Sequence, residues 1–230
     1  MKIGQSAGKS FAYLFGVYLG DGCVSKGRYH CFRLNTIDND FALATQAALS
    51  EVTDYKVTIA KHDVKRGKPN HALYCGDPDL GKFLVAMTND KQQLPAFVWT
   101  ASRDEKLAFI SGLMDSEGFV AANSNPTNRR FYMGFKSTDC WVPDFVRLLE
   151  SVGIMVGKIS KEKPLKPGYR EPSRFTIKMK SWIDSGAKFN IARKQSRVDE
   201  WNAAGAYENR SKFPRRLSSE TNTQGAPVTE

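Results

Sequence analysis

Two acidic residues recur in nearly the same setting. Asp21 stands eleventh in the segment FAYLFGVYLGDG (Phe11 to Gly22), and Glu117 stands eleventh in LAFISGLMDSEG (Leu107 to Gly118), a constant shift of 96. Both segments carry Ala second, Gly sixth, a small residue tenth, an acid eleventh and Gly twelfth. The run before each acid is apolar, with small residues spaced i, i+4, i+8: Ala12, Gly16, Gly20 in one copy and Ala108, Gly112, Ser116 in the other. On a helix that spacing makes one stripe, and small side chains there let two helices approach closely. Each acid then falls at a helix C-terminus, where the helix dipole opposes an anion. Parallel packing along the stripes also brings the two acids together. Two unfavourable placements at one spot call for a cation, and a hard divalent ion with oxygen ligands such as Mg²⁺ fits. Asp21 and Glu117 are the candidate metal ligands, with the carbonyls of Gly20 and Ser116 beside them. Gly22 and Gly118 are expected to close the helices in the left-handed conformation.

The elements around these helices also come in two copies. FRLNTID (Phe32 to Asp38) is answered by MGFKSTD (Met133 to Asp139), strand-like stretches whose final Asp is placed to cap a following helix. Helices are expected over 41–52 and 142–152, the second from the spacing of Val142, Phe145, Val146 and Leu149. Strands are expected over 56–61, 71–75, 155–160 and 174–179, and short helices over 78–87 and 181–189. Each half closes on a similar tripeptide, Lys91-Gln92-Gln93 and Lys194-Gln195-Ser196. Residues 90–106 link the halves, and Ser102 to Glu105 reads as a capping box for the second acid-bearing helix. The chain thus divides into a first repeat within 1–100, a second within 101–204, and a polar tail over 205–230, expected to be flexible.

Composition limits the partners. The net charge is +10 with a pI near 9.4, which favours a polyanion, nucleic acid before acidic membrane. The tail holds only +1 of that, leaving +9 on the repeats. No stretch is long and apolar enough for a membrane span, and no secretion signal is read, so an intracellular protein is expected. Cys23, Cys31, Cys75 and Cys140 lack the spacing of a zinc site, and His30, His62 and His71 are scattered. Gly4 to Ser10 imitates a phosphate-binding loop, but it has three residues between its glycines where that loop has four, and no strand before it.

The segments LFGVYLGDG (Leu14 to Gly22) and ISGLMDSEG (Ile110 to Gly118) resemble the LAGLIDADG motif of the homing endonucleases. Each keeps the motif's third-place Gly, eighth-place acid and ninth-place Gly. Asp115 fills the sixth place, and Leu19 stands there in the first copy. The resemblance spans about residues 10–204 and implies an α+β fold of two pseudo-symmetric αββαββα repeats. Each would carry a four-stranded antiparallel sheet, the two forming a DNA-binding saddle and packing through the motif helices. It implies a monomer that cuts both strands of double-stranded DNA at a long, asymmetric site, with Mg²⁺ as cofactor and Ca²⁺ or Mn²⁺ as substitutes. It also implies mobility of a host intron or intervening sequence.

A lysine near the end of each repeat belongs to such a site, and the echoing tripeptides make Lys91 and Lys194 the candidates, with Lys188 competing for the second role. The candidate DNA-contacting strand residues are Lys26, Arg28, Arg33, Asn35, Lys61, Asn123, Arg129, Lys136, Lys158, Arg174, Lys178 and Lys180, since every second strand residue can face DNA. The basic loops, with Lys65, Arg66 and Lys161, are expected to reach flanking phosphates. The alternative is an intron-splicing maturase that binds intron RNA with the same fold; retention of both acids favours cutting.

Overall fold

The computed structural model describes residues 8–25, 29–63, 69–122, 131–164, 168 and 170–204. Candidates Lys26, Arg28, Lys65, Arg66, Asn123 and Arg129 and the tail from residue 205 lie outside them. The first half runs α1 (Gly8–Leu19), β1 (Cys23–Val24), β2 (Phe32–Thr36), α2 (Asn39–Val52), β3 (Val57–His62), β4 (Asn70–Cys75) and α3 (Pro78–Met87). A 3₁₀ turn at Ala96–Trp99 leads to the second half: α4 (Arg103–Glu117), β5 (Gly118–Ala122), β6 (Phe131–Ser137), α5 (Val142–Ser151), β7 (Ser160–Lys161), β8 (Ser173–Ile177) and α6 (Met179–Ser185). One more helix, α7 (Ala192–Ala203), follows. The chain is therefore α+β, with two antiparallel four-stranded sheets of matching order, β1-β2-β4-β3 and β5-β6-β8-β7. No described helix is long and apolar enough to cross a membrane.

The sheets alternate as their sequences require. Phe32 and Leu34 of β2 and Leu73 and Cys75 of β4 are buried, while Arg33, Asn35 and Tyr74 lie on the open side. In the second sheet Met133, Phe135, Phe175 and Ile177 point into the core. There Phe135 stacks on Phe175 at 5.5 Å between centroids, with Phe145 of α5 at 4.8 Å from Phe135. Helix α3 begins where Asp77 accepts hydrogen bonds from the amides of Asp79 and Leu80. Helix α4 has the expected capping box, with Ser102 and Glu105 each satisfying the other's backbone.

Helices α1 and α4 lie side by side in parallel. Their N-terminal ends meet, with Lys9 Nζ 2.7 Å from Asp104, and so do their C-terminal ends. The small stripe is what permits this. A Cβ on Gly16 would sit 2.2 Å from the Phe109 carbonyl oxygen, one on Gly112 would sit 2.2 Å from that of Tyr13, and one on Gly20 would sit 2.3 Å from Ser116 Cβ. Ala12 is fully buried and Ala108 partly so. The apolar residues beside the stripes join both halves into one continuous core.

Four expectations need correction. Gly22 and Gly118 are not left-handed: the positive-φ glycines among the described residues are Gly153, Gly168 and Gly186, and Gly118 is extended at φ −75°, ψ 151°. Crowding selects them instead, since a Cβ on Gly118 would lie 2.5 Å from the Met114 carbonyl oxygen and one on Gly22 2.9 Å from Tyr18 Cα. Asp38 and Asp139 do not cap: Asp38 occupies the N-cap position of α2 but turns its carboxylate to Arg193, and Asp139 accepts from Ser137 Oγ. The strand expected over 155–160 is reduced to a bridge, Val156 to Ile177, and the short β7. Between that bridge and the Ser160–Arg174 pair the register slips by one residue, so a bulge breaks the strand. The helix expected over 181–189 starts at Met179 and ends at Ser185, because Gly186 takes φ +82°. That places Lys178 at its N-cap and Lys180 within it, paired with Asp184 at 3.0 Å, and neither is a strand residue.

Candidate active site

The packing of α1 against α4 sets the geometry of the two acids. Glu117 is the last residue of α4, and Asp21 follows α1 by two residues in a turn. A Cβ on Gly20 would lie 3.4 Å from Glu117 Cγ, so the two acidic ends are in contact range. Burial, and then the charge of Asp21, pushes the Glu117 carboxyl up to about 7. Asp21 is open to solvent on one side, yet burial by the protein packed around its other sides also raises its carboxyl above the usual range. An ionised pair here is strained by its own repulsion, and a cation would relieve it.

Each acid-bearing helix end is held by one of the candidate lysines. Lys91 Nζ donates to the carbonyl oxygens of Gly20 at 2.9 Å and Gly22 at 2.6 Å, and lies 5.1 Å from the centroid of the Tyr18 ring. Lys194 Nζ donates to the carbonyls of Met114 at 3.0 Å and Asp115 at 2.6 Å, and lies 5.7 Å from that of Phe189. Burial lowers both ammonium groups, Lys194 to about 8. Both ammonium groups draw the Asp21 and Glu117 carboxyls down against the effect of burial. Lys188, the competitor for the second role, is exposed; only its carbonyl, accepting from Ser111 Oγ, is tied to α4.

The two lysines are delivered differently. Lys91 comes from a turn in which Asn89, Asp90 and Lys91 all have positive φ, at 47°, 52° and 67°. Asn and Asp tolerate that region and Lys does so at a cost, so the turn holds local strain beside the site. Lys194 sits in the first turn of α7. The matching tripeptides correctly indicated which lysines approach the acids, and gave no hint of the different backbones that carry them.

Sequence reasoning missed the network around Asp115. Its carboxylate is 1% exposed and accepts from Tyr13 Oη at 3.1 Å, Asn190 Nδ2 at 2.9 Å and the Asn190 amide at 3.0 Å. Burial raises it to about 6 despite these donors. A second unread link is the paired contact of Arg193 with Asp38, both bonds 2.7 Å long. Arg193, Asp38, Asn35, Asn70 and Ser116 line a cleft of about 300 Å³ beside Asp21. The signal for Asp115 was present, an acid at the sixth motif place. For Arg193 there was none beyond its adjacency to Lys194.

Among the described residues no three His, Cys, Asp or Glu side chains gather as a closed metal cage. The donor set instead fits a hard cation held by two carboxylates with open positions for water and phosphate oxygens. The Gly20 carbonyl already accepts from Lys91, and Ser116 Oγ donates to the Gly112 carbonyl at 3.1 Å. Of the DNA-contact candidates, Arg33, Asn35, Lys136 and Arg174 lie on open sheet faces. Lys61 and Lys161 pair with His71 and Ser173, whose side chains are buried, so alternation gives them the core-facing register. Lys158 lies in the bulged segment, exposed.

No protein-family profile matches the chain, and no curated protein sequence does. Solved structures do. A mesophilic variant of the homing endonuclease I-DmoI aligns over 79% of this chain and 90% of its own, at 16% identity and a TM-score of 0.50. The homing endonuclease I-WcaI bound to its DNA recognition sequence aligns over 83% of this chain and 86% of its own, at 9% identity and a TM-score of 0.54. These likenesses, the paired sheets and the parallel motif helices together give one conclusion: the chain has the LAGLIDADG homing-endonuclease fold.

Proposed function

We propose that this chain is a site-specific endonuclease that hydrolyses both strands of double-stranded DNA with a divalent metal, Mg²⁺ by preference. The observation that carries the reading is the carboxylate pair, Asp21 and Glu117, at adjacent ends of close-packed parallel helices, with half-buried Lys91 tied to one end and buried Lys194 to the other. The same fold holds target DNA in the I-WcaI complex, and an I-DmoI variant has been seen with nicked target DNA in the presence of manganese. When bound, a divalent ion activates water and neutralises charge on the phosphate and the leaving oxygen.

This chain's residues supply the rest. Asp21 and Glu117 would hold the ion, with the neighbouring main-chain carbonyls of Gly20 and Ser116 as further oxygen donors. Lys91 and Lys194 would place positive charge at the scissile phosphates, and burial eases proton release from both ammonium groups. The open faces of the two sheets, with Arg33 and Asn35 on one and Lys136 and Arg174 on the other, would lie on the DNA. Since those faces differ in sequence, the target is asymmetric, and a single chain is the active species. Mobility of a host intron or intervening sequence follows as the biological role. Both acids being retained favours cutting over an RNA-maturase role.

The test is a plasmid library of candidate sites incubated with Mg²⁺ and scored separately for nicked and linear DNA. Asp21→Asn and Glu117→Gln are each expected to abolish linear product while sparing sequence-selective binding in Ca²⁺. Wild-type rates in either variant would remove that acid from the site. Loss of binding and of melting temperature along with cleavage would make the acids structural.

A further inference from the structure

The basic residues on the open face of the second sheet are organised before any DNA arrives. Lys136 and Arg174 are register partners on β6 and β8. Glu162, just beyond β7, accepts from both, from Lys136 Nζ at 2.6 Å and Arg174 Nη1 at 2.8 Å. The Arg174 guanidinium also lies over the Phe119 ring, 5.0 Å from its centroid. Phe119 is the register partner of Gly134, where a Cβ would sit 2.6 Å from the ring, so only glycine lets it settle on the sheet. Tyr132 completes the cluster, its ring 6.2 Å from Phe119. The three charged side chains remain accessible, at 41% for Lys136, 37% for Arg174 and 29% for Glu162.

A face that only attracted phosphate would gain nothing from this carboxylate, which cancels about one of its two positive charges and weakens counterion-driven binding. What the carboxylate provides is direction. A guanidinium pinned by Glu162 and lying on an aromatic face has one orientation and keeps donors to spare. Arginine so fixed can contact both O6 and N7 of a guanine, a contact that lysine cannot reproduce with the same geometry.

Resting on the endonuclease reading, we propose that Arg174 is a specificity-determining residue that reads a guanine in the half-site over the second sheet, with Glu162 and Phe119 as its positioning residues. Glu162 also lowers affinity for unrelated sequences, so it sharpens selectivity by both routes.

The experiment selects bound sequences from a randomised double-stranded DNA library in Ca²⁺, using the full-length wild type, Glu162→Gln, Arg174→Lys and Phe119→Leu, each checked for wild-type melting. The wild type is expected to enrich a G·C pair at a position in one half-site. Arg174→Lys, which keeps the charge, should lose that preference about tenfold at that position alone, as a lost bidentate contact predicts. Glu162→Gln should lose it too, while binding unrelated DNA more tightly and with a salt slope steeper by about one. Phe119→Leu should lose it with no change in salt slope. An Arg174→Lys variant with an unchanged base profile would overturn the proposal. So would a Glu162→Gln variant that changes only non-specific binding. A wild type that selects no sequence would defeat the endonuclease reading itself, before any variant is compared.

Discussion

At Glu117, burial and the charge of Asp21 act in the same direction, and this has a sign that can be tested without DNA. The folded carboxyl titrates at about 7 against an ordinary 4.5. Between those values the folded chain keeps a proton that the unfolded chain has released. Stability of the metal-free protein therefore falls as pH rises through that window. Glu117→Gln removes the conflict, so in a chelating buffer its melting temperature should exceed the wild type's by a few degrees at pH 8, with the gap closing near pH 4. Calorimetry at both pH values checks this; an equal gap at the two values would mean that the glutamate's charge is not the cause. The acids themselves were legible in the sequence because their chemistry repeats at a fixed shift. Asp115 was visible only as a motif letter. Its donors, Tyr13 and Asn190, come from distant parts of the chain, and no local pattern announces them.

At the scale of elements, the helix pair is the most constrained part of the molecule. Gly16 and Gly112 touch backbone carbonyls, not flexible side chains, so a methyl group cannot be accommodated by a rotamer change. Gly112→Ala should destabilise by about 3 kcal/mol, at the upper end for overpacking, and lower the melting temperature by roughly 6–12 °C. Ala108→Ser, at the partly buried end of the same stripe, should be nearly neutral. Equal losses in the two variants would mean that helix packing does not depend on the glycines. The stripe was readable because close approach demands small residues at helical spacing. Helix α7 was not. Its sequence, ARKQSRVDEWNA, is mostly charged or polar, and only Lys194 and Val198 are buried. Such a helix is held by what it reaches, here the ends of α4 and α2, and carries little periodic signal of its own. The bulge in the Val156–Lys161 segment was equally hidden, since alternation continues in the sequence while the pairing slips.

For the whole molecule, the charge of +10 and the two open sheet faces set the expected solution behaviour. Sedimentation without DNA should give a monomer, because one continuous core already joins both halves. Binding to duplex DNA should weaken steeply with salt as Lys and Arg displace phosphate counterions. A nearly flat plot of log affinity against log salt, or an obligate dimer, would contradict this. Fold class could be read early because the same order of elements occurs twice. Which strand cations lie on the open sheet faces could not, as Lys61 and Lys161 share their strands with outward-facing neighbours and differ only in parity.

The Tyr13–Asp115 contact makes the two halves non-interchangeable. Under the shift of 96, Tyr13 corresponds to Phe109 and Asp115 to Leu19. Tyr13 is 7% exposed and the other three at most 1%. One side of the helix seam therefore holds a hydroxyl facing a carboxylate, and the matching positions on the other side are both hydrocarbon. Two copies of the second half would set Asp115 against Phe109, so the carboxylate would keep its Asn190 donors and lose the Tyr13 hydroxyl. Two copies of the first would set Tyr13 against Leu19, so the hydroxyl would lose the Asp115 carboxylate. Each self-pairing forfeits a buried hydrogen bond twice, at roughly 0.5–1.5 kcal/mol for each bond lost. Expressed as separate chains carrying different tags, the halves should co-purify as the mixed pair in preference to either self-pair, and Tyr13→Phe together with Asp115→Leu should erase that preference.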